Sequence, residues 1–415
     1  MASEAKPTSL SVDSADARAL DIAVLEISQS VGAGFAASLL ADFGARVYVA
    51  ERPPHGTNLR QLGPKELGLD WWDIVGRNKR SLAIDPAHCD AAPVMTRLLS
   101  CMDMVITDVG KPAWASDMWL RLLDGISPQP LVVDLFPTGA DRPDLWPWSI
   151  APELTGATTG MAALTGYEFG PPVQPEMPLT EYLAGALAAA GAMAELRKAR
   201  LAKSQPVHFP VATHEAVQRA IEWQVPIAAV LGHPESRIGN RFPLSAGISN
   251  MHRTKDGKYV ALSAATQAVA SRLLVMIGGE TLDRDERFAS PQARAGNMNV
   301  LYQIIGEWIA QRTADEAFAA AQDADVVIGP IYSVVDILAD AQIAARDNVV
   351  HSRRQVPMPG TLPSISNIAT SVPAEAPAIG QHSAEALDLA GYSESEIERL
   401  KASGLIWFDG RRVLS

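Results

Sequence analysis

Ala23-Val24-Leu25-Glu26-Ile27-Ser28-Gln29-Ser30-Val31-Gly32-Ala33-Gly34-Phe35-Ala36-Ala37-Ser38-Leu39-Leu40-Ala41-Asp42-Phe43-Gly44-Ala45-Arg46-Val47-Tyr48-Val49-Ala50 is the run on which the fold turns. Its apolar pattern predicts a strand over Ala23–Ile27, a helix over Gly32–Phe43 and a second strand over Arg46–Ala50. Gly44 closes the helix, because glycine adopts the left-handed conformation of a helix end without a Cβ clash. The unit is β-α-β, which joins parallel strands. Inside it, Gly32-Ala33-Gly34-Phe35-Ala36-Ala37 fits a dinucleotide fingerprint with alanine in the third place. Glu51 then ends the second strand, where such folds hold a ribose. An NAD-dependent oxidoreductase is therefore one reading. A lone fingerprint is weak, however, and Arg52-Pro53-Pro54 directly after the acid is unusual for that role.

Outward from this unit the alternation continues. Strands are predicted at Ser81–Ile84, Met104–Thr107, Leu131–Leu135 and Val207–Val211, with helices near Ala91–Cys101 and over Thr213–Leu231. That pattern predicts an α/β fold, a Rossmann-like large domain whose parallel sheet is covered on both faces. After Gly239-Asn240-Arg241-Phe242-Pro243 the texture changes. Asp256-Gly257 predicts a hairpin turn between Ser249–Arg253 and Tyr259–Leu262. Helices near 266–277, 297–311 and 313–321 complete a smaller α+β domain, and Val334–Ala345 is a helical link. Ser393 lies three residues before Glu396, the spacing of a capping box. The domains expected are a loose tail over 1–19, a large domain over 20–235, a small domain over 236–335, and a link returning to the large domain over 336–415.

Composition narrows the function. The chain has 415 residues, 47% hydrophobic and 20% charged, with a net charge of −12. A surplus of acids opposes general binding to nucleic acid or to an anionic membrane. Two cysteines, Cys89 and Cys101, cannot by themselves form a disulfide scaffold or a metal cluster, and a cytoplasmic location is expected. No metal site is predicted. His208, His214 and His233 lack metal-ligand spacing and read as structural.

Two stretches carry chemistry. Between Arg46 and Arg80 there are seven cations against four acids, which is either an anion-binding patch or a set of surface pairs. The second stretch is Met177-Pro178-Leu179-Thr180-Glu181-Tyr182-Leu183-Ala184-Gly185, where a turn delivers Glu181 to the start of an Ala/Gly-rich helix. Free N–H groups at a helix N-terminus hold a carboxylate as its anion. Glu181 is thus either an acidic first-turn residue on a buried helix or a positioned reactive group. Trp71-Trp72 and Trp146/Trp148 read as loop or interface packing, with an aromatic pocket for an aryl acid as the alternative.

These residues resemble the family III CoA-transferases, the group of formyl-CoA transferase and carnitine CoA-transferase. The similarity runs over about residues 20 to 406. It rests on Val24-Leu25-Glu26-Ile27-Ser28, Leu40-Ala41-Asp42-Phe43-Gly44-Ala45, Glu51-Arg52-Pro53 and Arg77-Asn78-Lys79-Arg80-Ser81-Leu82. Further on it includes Gly239-Asn240-Arg241, Asp256-Gly257-Lys258-Tyr259-Val260-Ala261-Leu262, Gly329-Pro330 and Gly380-Gln381-His382, all in family order. The resemblance implies a Rossmann-like large domain, a small domain, and two chains interlocked like links. It implies CoA or acyl-CoA and a free carboxylic acid as substrates, with no permanently bound cofactor.

In the mechanism so implied, a carboxylate attacks the thioester to give a mixed anhydride and then an enzyme-bound CoA thioester. The family's catalytic aspartate falls on Glu181, which keeps the carboxylate and adds a methylene, a displacement on the order of an ångström. CoA contacts fall on Val31, Gly32, Arg52, Ile84, Asp85, Pro86, Ala87, Asp108, Val109 and Gly110. Asp108-Val109 replaces the usual Asn-Phe, Ala87 stands where lysine is common, and Ala151-Pro152 replaces a Tyr-acid pair, with Glu153 adjacent. Arg77, Lys79 and Arg80 either touch CoA or position the strand and interface. Some members are built from two different subunits, including succinyl-CoA:benzylsuccinate and succinyl-CoA:malate CoA-transferases. The chain is therefore expected to be a transferase acting through Glu181, or a non-catalytic subunit whose partner carries the aspartate. A racemase or isomerase of the same superfamily is the further alternative.

Overall fold

The computed structural model describes residues 20–108, 122–123, 125–136, 154–204, 208–241, 247–352, 354–363 and 374–407. It divides into two compact units. The first comprises 1–161, 175–226 and 341–415, and the second 162–174 and 227–340.

A seven-stranded sheet organises the first unit. Its strands are β1 (Ala23–Ile27), β2 (Arg46–Glu51), β3 (Arg80–Ile84), β4 (Met104–Thr107), β5 (Leu131–Phe136), β6 (Phe209–Ala212) and β12 (Ile406–Trp407). They lie in the order β12-β3-β2-β1-β4-β5-β6. β1 to β6 are parallel, and β12 alone runs antiparallel, against β3; β10 (Val349–His351) and β11 (Pro357–Pro359) form a separate antiparallel pair. The order from β3 to β6 is that of a doubly wound dinucleotide fold, with its switch point between β1 and β4.

Successive side chains of a strand point to opposite faces, so both faces must find cover. Leu25, Ile27, Tyr48 and Leu82 pack with the helix Ala91–Leu99 and the C-terminal helices Ser383–Leu389 and Glu394–Ala402. Val24, Val47, Val133 and Leu135 pack with α1 (Val31–Asp42) and the long helix Leu179–Ala202. Two covered faces explain the near-continuous apolar strands.

Where α1 meets the long helix the contact is between small residues: Ala33, Ala36 and Ala37 against Ala184, Ala188 and Ala192. Gly185 is the tightest point, since a Cβ there would lie 2.5 Å from the Gly32 carbonyl oxygen. The helix-weakening glycine is thus the condition for two backbones to touch.

In the second unit, β7 (Ile248–Arg253) and β8 (Tyr259–Ala264) form the hairpin predicted at Asp256-Gly257, with β9 (Val327–Pro330) antiparallel to β8. Gly257 holds φ +82° at the turn. Leu273, Leu274, Phe288, Leu301 and Ile305 fill the core under this sheet. The segment 162–174, which the sequence assigns to the large domain, belongs to this unit. Arg237 anchors it by donating to the carbonyls of Tyr167 at 3.2 Å, Ala163 at 3.4 Å and Gly170 at 2.5 Å.

Three elements depart from the sequence expectation. The single helix expected over Thr213–Leu231 is two, Thr213–Ala220 and Gln224–Leu231. Pro226 stands in the first turn of the second, where its missing N–H costs nothing but where it cannot continue a preceding helix. The Val334–Ala345 link is likewise split into Val334–Ala339 and Ala341–Ala345, with Asp340 extended between them. The strand expected at Val207–Val211 is Phe209–Ala212. The Ser393 capping box forms as its spacing predicts. Among the described residues no helix is long and apolar enough to cross a membrane.

Candidate active site

Parallel strands of an open sheet deliver their carboxyl ends to one edge, and ligands bind there beside the switch point. Val31 and Gly32 follow β1, Arg52 follows β2, Ile84 ends β3 and leads to Asp85, Pro86 and Ala87, and Asp108 follows β4. One edge of the sheet therefore carries every predicted contact residue described. Val109 and Gly110 lie outside the described residues, as do Trp146, Trp148 and Ala151-Pro152-Glu153.

The centre of this edge is the first turn of α1. Ser30 caps it, its hydroxyl accepting from the Ala33 N–H. The Glu181 carboxylate, from a position 149 residues away, accepts the Gly32 N–H at 2.8 Å. Glu181 is itself in the first turn of the long helix, so its carboxylate stands at two helix N-termini, both of which favour the anion. Gly32 eases this approach, because a Cβ there would lie 3.2 Å from the Glu181 carbonyl oxygen and the two backbones would have to part by a few tenths of an ångström. Tyr182 stacks on Trp71 with centroids 6.4 Å apart and meets the edge of Phe35 at 4.6 Å.

Asp108 occupies the same turn. Its oxygens accept from the Gln29 N–H at 2.9 and 3.1 Å and from the Ser30 N–H in a shorter contact. Burial pushes this carboxyl up, while the hydrogen bonds from Ser30 and Gln29 oppose the rise. Arg52 is exposed beside this edge. Ile84 is buried, and Ala87 is exposed with its N–H on the Asp85 carboxylate at 3.0 Å.

Glu51 does not point to a ligand. Its carboxylate receives two guanidinium nitrogens of Arg60 at 2.6 and 2.7 Å, the Ser81 hydroxyl at 2.6 Å and the Thr57 N–H at 3.0 Å. A ribose would have to displace all of these, so the oxidoreductase reading loses its acidic partner.

The cations of the 77–80 stretch are also committed internally. Arg77 binds Asp42 through Nε at 3.0 Å and reaches the carbonyls of Pro359 and Gly360. Lys79 is buried against Glu26 at 2.7 Å and donates to the Gly34 carbonyl at 2.8 Å. Arg80 pairs with Glu385 at 2.6 Å. They hold α1 and the C-terminal segments to the sheet. A signal for this was present in the sequence: Glu26 sits inside an apolar strand, and a buried acid calls for a buried cation. Trp72 is buried too, its Nε1–H bonded to the Pro377 carbonyl and its ring under Arg60.

One acid escaped the sequence reading. Asp134 lies within apolar β5, and its Oδ1 has no hydrogen-bond donor among the described residues. Burial, aided by the charge of Asp108, pushes its carboxyl up to about 7. Half-exposed His208 stands 3.5 Å from its other oxygen. Between its ordinary value of 3.8 and about 7, the folded chain holds a proton that the unfolded chain has lost. The stabilising contribution is therefore complete below pH 3.8 and disappears as pH rises through about 7. Its upper limit is on the order of 4 kcal/mol. Urea midpoints across this range are expected to show a downward slope that Asp134→Asn flattens.

Among the described residues, the group with metal-ligand potential is His88, Cys89 and Asp90, whose donor atoms lie within 4.8 Å of one another on the surface. His88 Nδ1 already accepts the Asp90 N–H at 3.2 Å.

A doubly wound α/β unit with a carboxylate on the switch-point helix defines a broad class. Comparison with known proteins narrows it. The family model for CoA-transferase family III matches residues 20–125 and 143–383. The chain belongs to CoA-transferase family III. The succinyl-CoA–D-citramalate CoA-transferase of Chloroflexus aurantiacus is 29% identical over 397 residues, covering 93% of this chain and 97% of that protein. The beta subunit of succinyl-CoA–L-malate CoA-transferase from the same organism is 26% identical over 401 residues, covering 93% and 97%. The alpha subunit is 26% identical over 397 residues, covering 93% and 92%. A CaiB/BaiF family protein from Brucella suis shares the fold with a TM-score of 0.75 at 22% identity, covering 89% of this chain and 98% of that one.

Proposed function

We propose that this chain moves CoA from an acyl-CoA such as succinyl-CoA to a free organic acid, with Glu181 as the nucleophile. The observation that carries this is the Glu181 carboxylate on the Gly32 N–H, at the first turn of α1 on the ligand edge of the sheet. A Glu181 oxygen attacks the thioester carbonyl and the CoA thiolate leaves, giving a mixed anhydride. The thiolate then attacks the glutamyl carbonyl and expels the donor acid, leaving glutamyl-CoA. The acceptor carboxylate repeats the sequence in reverse and departs as its CoA thioester. Charge and atoms balance without an added cofactor. In this reading CoA lies along Val31, Gly32, Arg52 and Ile84–Ala87, and on to Val109 and Gly110. The exposed Arg52 guanidinium suits a phosphate. Hydroxydicarboxylic acids are the first acceptors to test, since the relatives named above act on D-citramalate and L-malate.

A second reading has its own support. In the helices Gln224–Leu231 and Val334–Ala339 no residue is buried, and Val230, Val334 and Val335 are 85%, 73% and 74% exposed. Apolar surface of this kind calls for a covering chain. The partner is a second copy interlocked with the first, or a related subunit carrying the reactive carboxylate, as in transferases made of alpha and beta subunits.

Incubation with succinyl-CoA followed by hydroxylamine is expected to leave a hydroxamate on the peptide containing Glu181. A folded chain that exchanges CoA with that peptide unmodified rules out the nucleophile. Exchange that appears only on adding a second subunit supports the silent-subunit reading.

A further inference from the structure

We infer that Asp108 is a positioning residue that sets the N–H donor on which Glu181 rests. This rests on the reading of Glu181 as nucleophile. β1 and β4 are parallel neighbours, with Ile27 beside Thr107, although about eighty residues of sequence separate them. Asp108, the first residue beyond β4, therefore stands next to the chain leaving β1. There the Gln29 and Ser30 N–H groups precede the helix and have no intrahelical acceptor. Asp108 takes both.

Ser30 in turn caps the helix, and two residues after it the Gly32 N–H holds Glu181 at 2.8 Å. The turn 29–32 is thus a bracket with one carboxylate at each end. It has little freedom to drift. The Gly32 carbonyl faces Gly185 with no room for a methyl group, and Lys79 grips the Gly34 carbonyl at 2.8 Å. If the Asp108 end is released, Gln29 and Ser30 must find water or another acceptor, and the peptide plane that carries the Gly32 N–H loses its support on that side while the Gly185 and Lys79 contacts hold only the helix side. A shift on the order of an ångström at the nucleophile costs about a hundredfold in rate.

The requirement is for acceptor oxygen, not for charge. Both Asp108 oxygens face backbone N–H groups, and one of them, Oδ2, accepts from Gln29 and Ser30 together. The carboxamide oxygen of asparagine can take the Oδ2 place, which holds two of the three contacts, with its NH2 giving up only the longer 3.1 Å contact of Oδ1. Burial disfavours the charged form of this carboxyl in any case. A residue that bound CoA through its charge would behave differently, changing KM for acyl-CoA before kcat.

The test uses the full chain, or its complex if a partner is needed, with succinyl-CoA and an accepting hydroxydicarboxylate. Asp108→Ala is expected to lower kcat and the rate of Glu181 adduct formation by about a hundredfold, leaving KM for acyl-CoA within about threefold. Asp108→Asn is expected to restore both rates to within about threefold of wild type. A loss in Asp108→Asn as large as in Asp108→Ala overturns the inference. So does a raised KM with unchanged kcat in Asp108→Ala. If Asp108→Ala does not fold, Asp108→Ser replaces it, since its hydroxyl is too short to reach both N–H groups: adduct formation near the wild-type rate in Asp108→Ser, or a loss in Asp108→Asn as large as in Asp108→Ser, overturns the inference. Adduct formation at the wild-type rate in Asp108→Ala sinks this inference only. A wild-type chain that forms no Glu181 adduct removes the nucleophile reading and this one together.

Discussion

Glu181→Gln is expected to lower CoA transfer by ~1,000-fold or more while leaving the fold and the acyl-CoA KM nearly unchanged. Gln is close to isosteric, and its carbonyl oxygen still accepts the Gly32 N–H, so the contact between α1 and the long helix survives. What disappears is the anionic oxygen that attacks the thioester. Glu181→Asp separates chemistry from geometry. It keeps the anion but withdraws it from the Gly32 N–H by about one methylene, and a loss on the order of a hundredfold is expected with the adduct still detectable. Steady-state exchange between succinyl-CoA and the acceptor acid, followed alongside adduct mass, reads both. If Glu181→Gln in an assembled hetero-oligomer turns over at the wild-type rate, the chemistry belongs to the other subunit.

The second large effect is on stability. The side chains of Lys79 and Glu26 are fully buried and 2.7 Å apart. Burial pushes Glu26 up and Lys79 down, against the attraction that each exerts on the other. Replacing Lys79 by Met leaves a buried carboxyl with no countercharge and strips a donor from the Gly34 carbonyl. Breaking one partner of such a pair costs about 3–5 kcal/mol. Chemical denaturation is expected to show that loss at neutral pH, and acidification, which neutralises Glu26, is expected to reduce it. The double variant Glu26→Gln with Lys79→Met should recover most of the stability, because it removes both charges together. Arg80→Met, at the next position in the chain, is the control: the Arg80–Glu385 pair is partly solvated and worth at most about 1 kcal/mol. Equal losses at Lys79 and Arg80 would falsify the assignment of the burden to burial.

The cations of one short motif therefore carry different weights, and their spacing in the chain does not reveal which. Alternation and turn chemistry placed β1, β4 and the hairpin at Asp256-Gly257 within a residue or two, because a strand or turn is specified by its immediate neighbours. The same holds for the Ser393 capping box, whose two hydrogen bonds close within three residues. Where neighbours disagreed, the expectation failed. The apolar run through Pro226 looked continuous but could not be one helix.

At the site, the sequence by itself determined that Glu181 opens an Ala/Gly helix and that Val31, Gly32, Arg52, Ile84 and Asp108 end or follow strands. Parallel strands bring such residues to one edge, so that much is local pattern plus topology. Only the tertiary structure decided how the charges are used. Glu51 is taken by Arg60 and Ser81, Lys79 by Glu26, Asp108 by the N–H groups of Gln29 and Ser30, and the Gly32 N–H by Glu181. These partners lie from 9 to 149 residues apart. A charged side chain is committed by burial and by the donor or acceptor that folding brings beside it, and neither is encoded in the residues next to it in the chain.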